Sequence, residues 1–172
     1  MEPLEVLVYP HPALRRGGQT VTAFDQDLRA LAAKMMESMY DEIGCGLAAP
    51  QVGIDQKLLV LNPSGDKSKR EEELALVNPR ILKKKGREWD DEGCLSFPGI
   101  RAEVERHVDI TVVYQDLDGK EQSLKASGFL ARVIQHEMDH LEGVLMVDRL
   151  SAADKLRVRG KLEELEQRYA RS

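Results

Sequence analysis

The stretch VIQHEMDHLEG, residues 133–143, sets His136 and His140 four positions apart with Glu137 beside the first. On a helix, positions i and i+4 share a face one turn apart, so two imidazoles can point at one ion. Glu137 sits about 100° further round the helix, within reach of water at that ion without being a ligand. This is the H-E-x-x-H arrangement, in which the glutamate serves as general base. The pattern is short, and two structural histidines on an ordinary helix would produce it too. Apolar Phe129, Val133, Ile134 and Met138 are mixed with the His and Glu residues here. A helix of that composition is expected to be buried, and its polar groups then need partners.

Other segments supply the wrapping. Leu28, Leu31, Met35 and Met39 recur at helical spacing, which predicts a helix over Asp25–Asp41 with the methionines in the core. KLLVLN (57–62), LALVNPRIL (74–82) and VDITVVYQD (108–116) read as strands, and Asp118-Gly119 as a hairpin turn before KEQSLKAS. The metal-type helix should run from Gly128 to His140 and stop near Gly143. A last helix should begin at Ser151, with Asp154 resembling a capping box. The predicted class is α+β, with antiparallel sheets wrapped around a central metal-binding helix and a C-terminal helix at about 151–170.

The chain has 172 residues, which suggests a single catalytic domain over 1–172 with a core that needs no disulfide. Net charge is −5, from 25 basic and 30 acidic residues, which excludes a dedicated nucleic-acid binder. No apolar run is long enough to span a membrane. No signal peptide is read in Met1–Tyr9, and a bacterial-type cytoplasmic setting is expected. NPSGDKSKREEE (62–73) reads as an exposed loop and KKKGRE (83–88) as a solvated turn.

A third ligand decides between chemistry and structure. The long-spaced H-E-x-x-H-x-x-G-x-x-H pattern fails, because Met146 stands where the third histidine belongs. A glutamate from a later helix, Glu163 or Glu164, is a second option. Cys94, in EGCLS (92–96) within the turn-rich DDEGCLSFPG, is the third. Two imidazoles and one thiolate leave a fourth position open for water, as catalytic sites do. His11 and His107 read as surface residues. GCGLAAPQVG (44–53) carries small residues that let a backbone come close to a ligand, and Gln51 has its one strong donor-acceptor side chain.

Together GCGLAAPQ (44–51), EGCLS (92–96) and QHEMDHLEG (135–143) resemble, in order and spacing, the three signature motifs of the peptide deformylases. YPHPALR (9–15) and LVNP (76–79) fit the same family, so the resemblance covers nearly the whole chain. Cys45 departs from it, since the family more often has a β-branched aliphatic there. The resemblance implies that Cys94, His136 and His140 bind one divalent metal and that Glu137 is the general acid and base. It also implies that Gln51 and the backbone N–H of Leu95 bond the developing oxyanion, while Gly46 meets the substrate backbone. The family removes the formyl group from the N-terminal methionine of newly made bacterial-type proteins and releases formate. Its natural metal is usually iron(II), with zinc, nickel or cobalt able to substitute.

Phe129 and Val133, one turn or more before the ligands, are candidates for lining a methionine pocket. Residues 155–172 hold six basic and three acidic residues, which is either a solvated helix face or a surface for docking on the ribosome. A monomer is expected. Two other readings stay open: a metallopeptidase or amidase of another class built on the same helix, and a structural domain whose ion only holds Cys94 to that helix.

Overall fold

The computed structural model describes residues 2–172. Helices α1 (Ala13–Arg16) and α2 (Gln26–Asp41) precede strands β1 (Gly46–Ala48), β2 (Leu58–Leu61) and β3 (Leu74–Lys85). Strands β4 (Glu88–Gly93), β5 (Arg101–Arg106), β6 (Asp109–Gln115) and β7 (Glu121–Ser127) follow. Helices α3 (Gly128–Leu141) and α4 (Ala152–Arg171) complete the chain. Five strands form one antiparallel sheet in the order β1-β2-β3-β6-β7, and β4 pairs with β5 as a separate antiparallel hairpin. This is the α+β architecture that the sequence predicts.

Strand β2 explains the layering. All four of its residues are apolar and fully buried, as expected of a strand covered on both faces. Leu58 and Val60 join a core with Leu28, Ala32, Met35 and Met39 of α2. Leu59 and Leu61 point the other way, into a core with Ile110, Val112, Ala131 and Ile134. The two helices therefore share one strand between them, and α3 lies against the sheet with its apolar side.

Local chemistry sets the ends of the helices. The Asp25 carboxylate accepts from the backbone N–H of Leu28 at 3.0 Å and caps α2. Gly143, with φ +72°, turns the chain out of α3, and Val144 N–H bonds back to Asp139 O at 2.9 Å. Ser151 caps α4 by accepting from Asp154 N–H at 3.1 Å. The Asp154 carboxylate does not close a reciprocal box, and accepts instead from Glu103 N–H and Arg157. The hairpin forms where the Asp118-Gly119 signal lies, but not as the two-residue turn that signal predicts: Asp116 N–H bonds to Lys120 O across three residues, and the Asp116 carboxylate accepts from Asp118 N–H and Lys120 N–H.

The β4–β5 hairpin was not foreseen. Its first strand reads EWDDEG, in which only Glu92 is buried, so no alternation of apolar residues marks it. Its second strand does alternate, burying Ala102, Val104 and Arg106. Ala102 and Val104 join Phe97, Ile100, Leu145, Leu150, Val158 and Leu165 in a third core, which seats α4. α4 also grips the segment before β5: Lys161 Nζ donates to Gly99 O at 2.8 Å and Arg157 Nη2 to Arg101 O at 2.9 Å. No helix is long and apolar enough to cross a membrane among the described residues.

Because Leu59 is fully buried where the sheet meets α3, Leu59→Ala should lower stability by about 2–5 kcal/mol, measured by urea unfolding of the metal-stripped protein.

Candidate metal centre

Helix α3 buries an unusual load of polar side chains: Arg132, Gln135, His136, Glu137 and His140 all lie inside. Each needs a partner there, since an unpaired buried polar group costs about 1–3 kcal/mol. Gln135 clamps the backbone N–H and carbonyl of His107 at 3.0 and 2.9 Å. Arg132 crosses to the β4–β5 hairpin and donates to Glu92 and to the carbonyls of Val104 and Glu88. His136 Nδ1 lies 2.8 Å from Glu92 Oε1. That bond puts the proton on Nδ1 and turns the Nε2 lone pair away from Glu92.

Cys94 follows β4 in a tight turn in which Phe97 N–H bonds to Cys94 O at 2.9 Å. The turn brings Sγ to 3.4 Å from His140 Nε2. One ligand atom from each of Cys94, His136 and His140 lies within 4.8 Å of the others. The two rings stand 5.3 Å apart between centroids, one helical turn along α3. Glu163 and Glu164 are exposed on α4, and Glu163 pairs with Arg159 at 3.3 Å. Met146 is buried in the third core. The cysteine is therefore the residue that the fold delivers to the two histidines.

The donors suit a divalent cation. One thiolate and two imidazoles within this span match a three-ligand site with an open position. Two buried atoms beside it, Glu137 Oε1 and His140 Nδ1, have no protein partner. Burial lowers the pKa of His140 well below its ordinary value, with His136 and Arg106 adding to the effect, so the ring is a neutral donor. For His136 burial also pulls downward, but Cys94 and Glu92 outweigh it and raise the pKa well above 6.5. Positive charge is thus favoured between that ring and the sulfur, where a metal would supply it. Burial would raise Glu92, yet bonds to His136 and Arg106 bring it down to about 2, so it is a fixed anion.

A cleft of about 700 Å³ opens above these groups. Cys94, His136 and Glu137 line it, and His140 lies below, 1% exposed. Gln51, Leu95, Gly46, Phe129 and Val133 line it as well, so every residue singled out from the three motifs and the helix lies at one site. Gln51 is buried, with Oε1 accepting from Ala48 N–H at 2.9 Å and Nε2 donating to Ser96 Oγ at 3.1 Å. Its Nε2 also lies 3.6 Å from Cys94 Sγ. Gly46 sits against the Glu137 carboxylate: a Cβ there would come within 2.7 Å of Oε2. Only glycine allows that approach. Val133 is buried in the wall, while Phe129 stands at the rim, 56% exposed. Cys45 also lines the cleft, and burial, with Glu137 nearby, raises its thiol pKa. Glu92, Arg106, Arg132 and Ser96 were not assigned from sequence. Glu92, two residues before Cys94, and Arg132, one turn before His136, were the available signals.

Known proteins resemble this chain over nearly its full length. The family model described as "Polypeptide deformylase" matches residues 3–156. The chain is 45% identical over 171 residues to a chloroplastic peptide deformylase 1B of Oryza sativa subsp. japonica, covering 99% of this chain and 63% of that protein. It is 45% identical over 147 residues to a peptide deformylase of Acidobacterium capsulatum, covering 86% of each. A crystal structure of peptide deformylase from Plasmodium falciparum superposes with a TM-score of 0.95 at 40% identity, covering 98% of both chains. With the family model matching residues 3–156 and the fold shared over nearly its full length, the chain belongs to the polypeptide deformylase family.

Proposed function

We propose that this chain hydrolyses the N-formyl group from the N-terminal methionine of newly synthesised proteins, releasing formate. The observation that carries the reading is the convergence of Cys94, His136 and His140 beneath a cleft whose wall holds Glu137 and Gln51. The three ligands would hold one divalent metal, which when bound acts as a Lewis acid and makes water acidic enough to ionise near neutral pH. Soft sulfur with two imidazoles accepts iron(II), zinc, nickel or cobalt, and iron(II) is the proposed native metal.

The side chains then divide the work. Glu137 takes a proton from the attacking water and returns it to the amine nitrogen as the C–N bond of the formamide breaks. Burial pushes its pKa up to about 7, close to what a group needs in order to accept and release a proton at neutral pH. The carbonyl oxygen gains negative charge as water adds. The Gln51 amide and the Leu95 N–H would donate to it, and such a donor is worth about 10²–10³ in turnover. Gly46, on the edge strand β1 in the wall of the cleft, would meet the backbone of an extended substrate, and Val133 and Phe129 would hold the methionine side chain. Water supplies one oxygen of formate, the other being the formyl carbonyl's, and the added hydrogen of the freed amine, so the reaction needs no other reactant.

The chain is proposed to work as one catalytic domain and as a monomer, in the bacterial-type cytoplasm where formylated chains are made. Docking of α4 on the ribosome is part of the proposal. Arg157, Arg159 and Lys161 are engaged within the protein, which leaves Lys155, Arg168 and Arg171 as the cations for RNA phosphates.

Glu137→Gln should lower formate release from formyl-Met-Ala by about 10²–10⁴-fold while metal content stays at one per chain. Equal turnover of acetyl-Met-Ala by the parent enzyme would contradict the assigned substrate. The same variant should also alter the pH dependence of stability in metal-stripped protein. Burial favours protonated Glu137, so its charge costs nothing below the ordinary value of 4.5; the cost grows between 4.5 and about 7 and is constant above that. Glu137→Gln should therefore match the parent at pH 4 and exceed it by about 3 kcal/mol at pH 8 in urea unfolding.

A further inference from the structure

We infer that Arg132 is a positioning residue for the metal centre, holding the ring of His136 through Glu92. This rests on the reading of Cys94, His136 and His140 as ligands. Arg132 lies one turn before His136 on α3, so both side chains leave the same rigid element on the same face. It is 8% exposed and reaches the β4–β5 hairpin at three points. Nη1 donates to Glu92 Oε2 at 2.6 Å and to Val104 O at 2.8 Å, and Nη2 donates to Glu88 O at 2.8 Å.

Arg106 approaches the same carboxylate from β5, with Nε 2.9 Å from Oε2 and Nη2 3.0 Å from Oε1. His136 Nδ1 takes the remaining place on Oε1 at 2.8 Å. A carboxylate offers about four lone-pair positions, and Glu92 has all of them filled. Rotating it in any direction would break a charge-assisted bond. The His136 ring therefore has one acceptor in one place, which fixes both its tautomer and its tilt. His140 differs, because its Nδ1 has no protein partner. The protein's orienting force on the two imidazoles falls on His136.

The two arginines are not equivalent. Arg106 also serves Asp139, at 2.5 Å, and Asp139 is held in turn by Arg149. Arg132 has no second carboxylate, and its other two bonds go to backbone carbonyls of β4 and β5. It fastens the ligand-bearing helix to the hairpin whose loop carries Cys94, and its loss would leave Glu92 held by Arg106 and His136 alone.

The test compares Arg132→Met and Arg132→Lys with the parent protein. Three quantities are read: Zn²⁺ affinity by chelator competition, the visible spectrum of the Co²⁺-loaded protein, and urea stability without metal. Arg132→Met should weaken Zn²⁺ binding by about 10–100-fold and shift the Co²⁺ ligand-field bands. Arg132→Lys, which restores charge beside Glu92 but cannot span all three acceptors, should recover part of both. A variant that loses urea stability yet binds Zn²⁺ as tightly as the parent, with the same Co²⁺ spectrum, would overturn the inference. If Arg132→Met does not fold, the lysine variant decides, and Zn²⁺ affinity equal to the parent's overturns it. The ligand reading has its own control: the parent Co²⁺ form should show a thiolate charge-transfer band that Cys94→Ser abolishes. Its absence from the parent would sink that reading, whereas its presence with an unmoved Arg132→Met would sink only the role of Arg132.

Discussion

A helix that is buried and polar at once is the constraint on which the rest of this structure depends. α3 carries two histidines, a glutamate, a glutamine and an arginine inside the protein. Water would satisfy them at no cost on the surface, so the interior has to be built around their needs. The β4–β5 hairpin supplies Glu92 and two carbonyls, His107 supplies a backbone pair, and Cys94 arrives on the turn after β4. The five-stranded sheet gives the apolar side of the same helix something to lie on. What the protein leaves unpaired, Glu137 Oε1 and His140 Nδ1, lies where the chemistry is proposed to occur.

Electrostatics divides the carboxylates around this helix into two kinds. Glu92 is buried but surrounded by donors, and it stays ionised down to about pH 2. Glu137 is equally buried without comparable donors, and it titrates near neutrality. One is an anchor and the other can exchange a proton, although their side chains are identical. The first motif contributes space in place of charge: glycine at 46 leaves room for Glu137 to rest against the backbone.

Much of the fold was legible because its signals are local. The methionine stripe of α2, the unbroken apolar run of β2 and the Asp118-Gly119 hairpin signal each lie within a few residues of sequence, and the helix, the strand and a hairpin form there. The β4–β5 hairpin was not legible, since β4 consists almost wholly of charged residues and is held by register and by ion pairs to residues far along the chain. The candidate site divides in the same way. The motif residues read from sequence share one cleft. The spacing of the histidines pointed to an ion, but the choice of Cys94 over Glu163 or Glu164 needed the family resemblance. Arg106 gave no signal, and the place of Arg132 one turn before His136 gave only a weak one, because a buried arginine looks like any helical or strand cation until its partner is seen.

The three candidate ligands come from two elements that no short stretch of chain connects. The imidazoles are in place as soon as α3 coils, whereas the thiol is 46 residues from His140 in sequence and travels with the hairpin. Until the arginines dock that hairpin, an arriving ion finds only two nitrogens and a weak hold. Holding an ion with all three ligands thus requires the hairpin and the helix to be docked together.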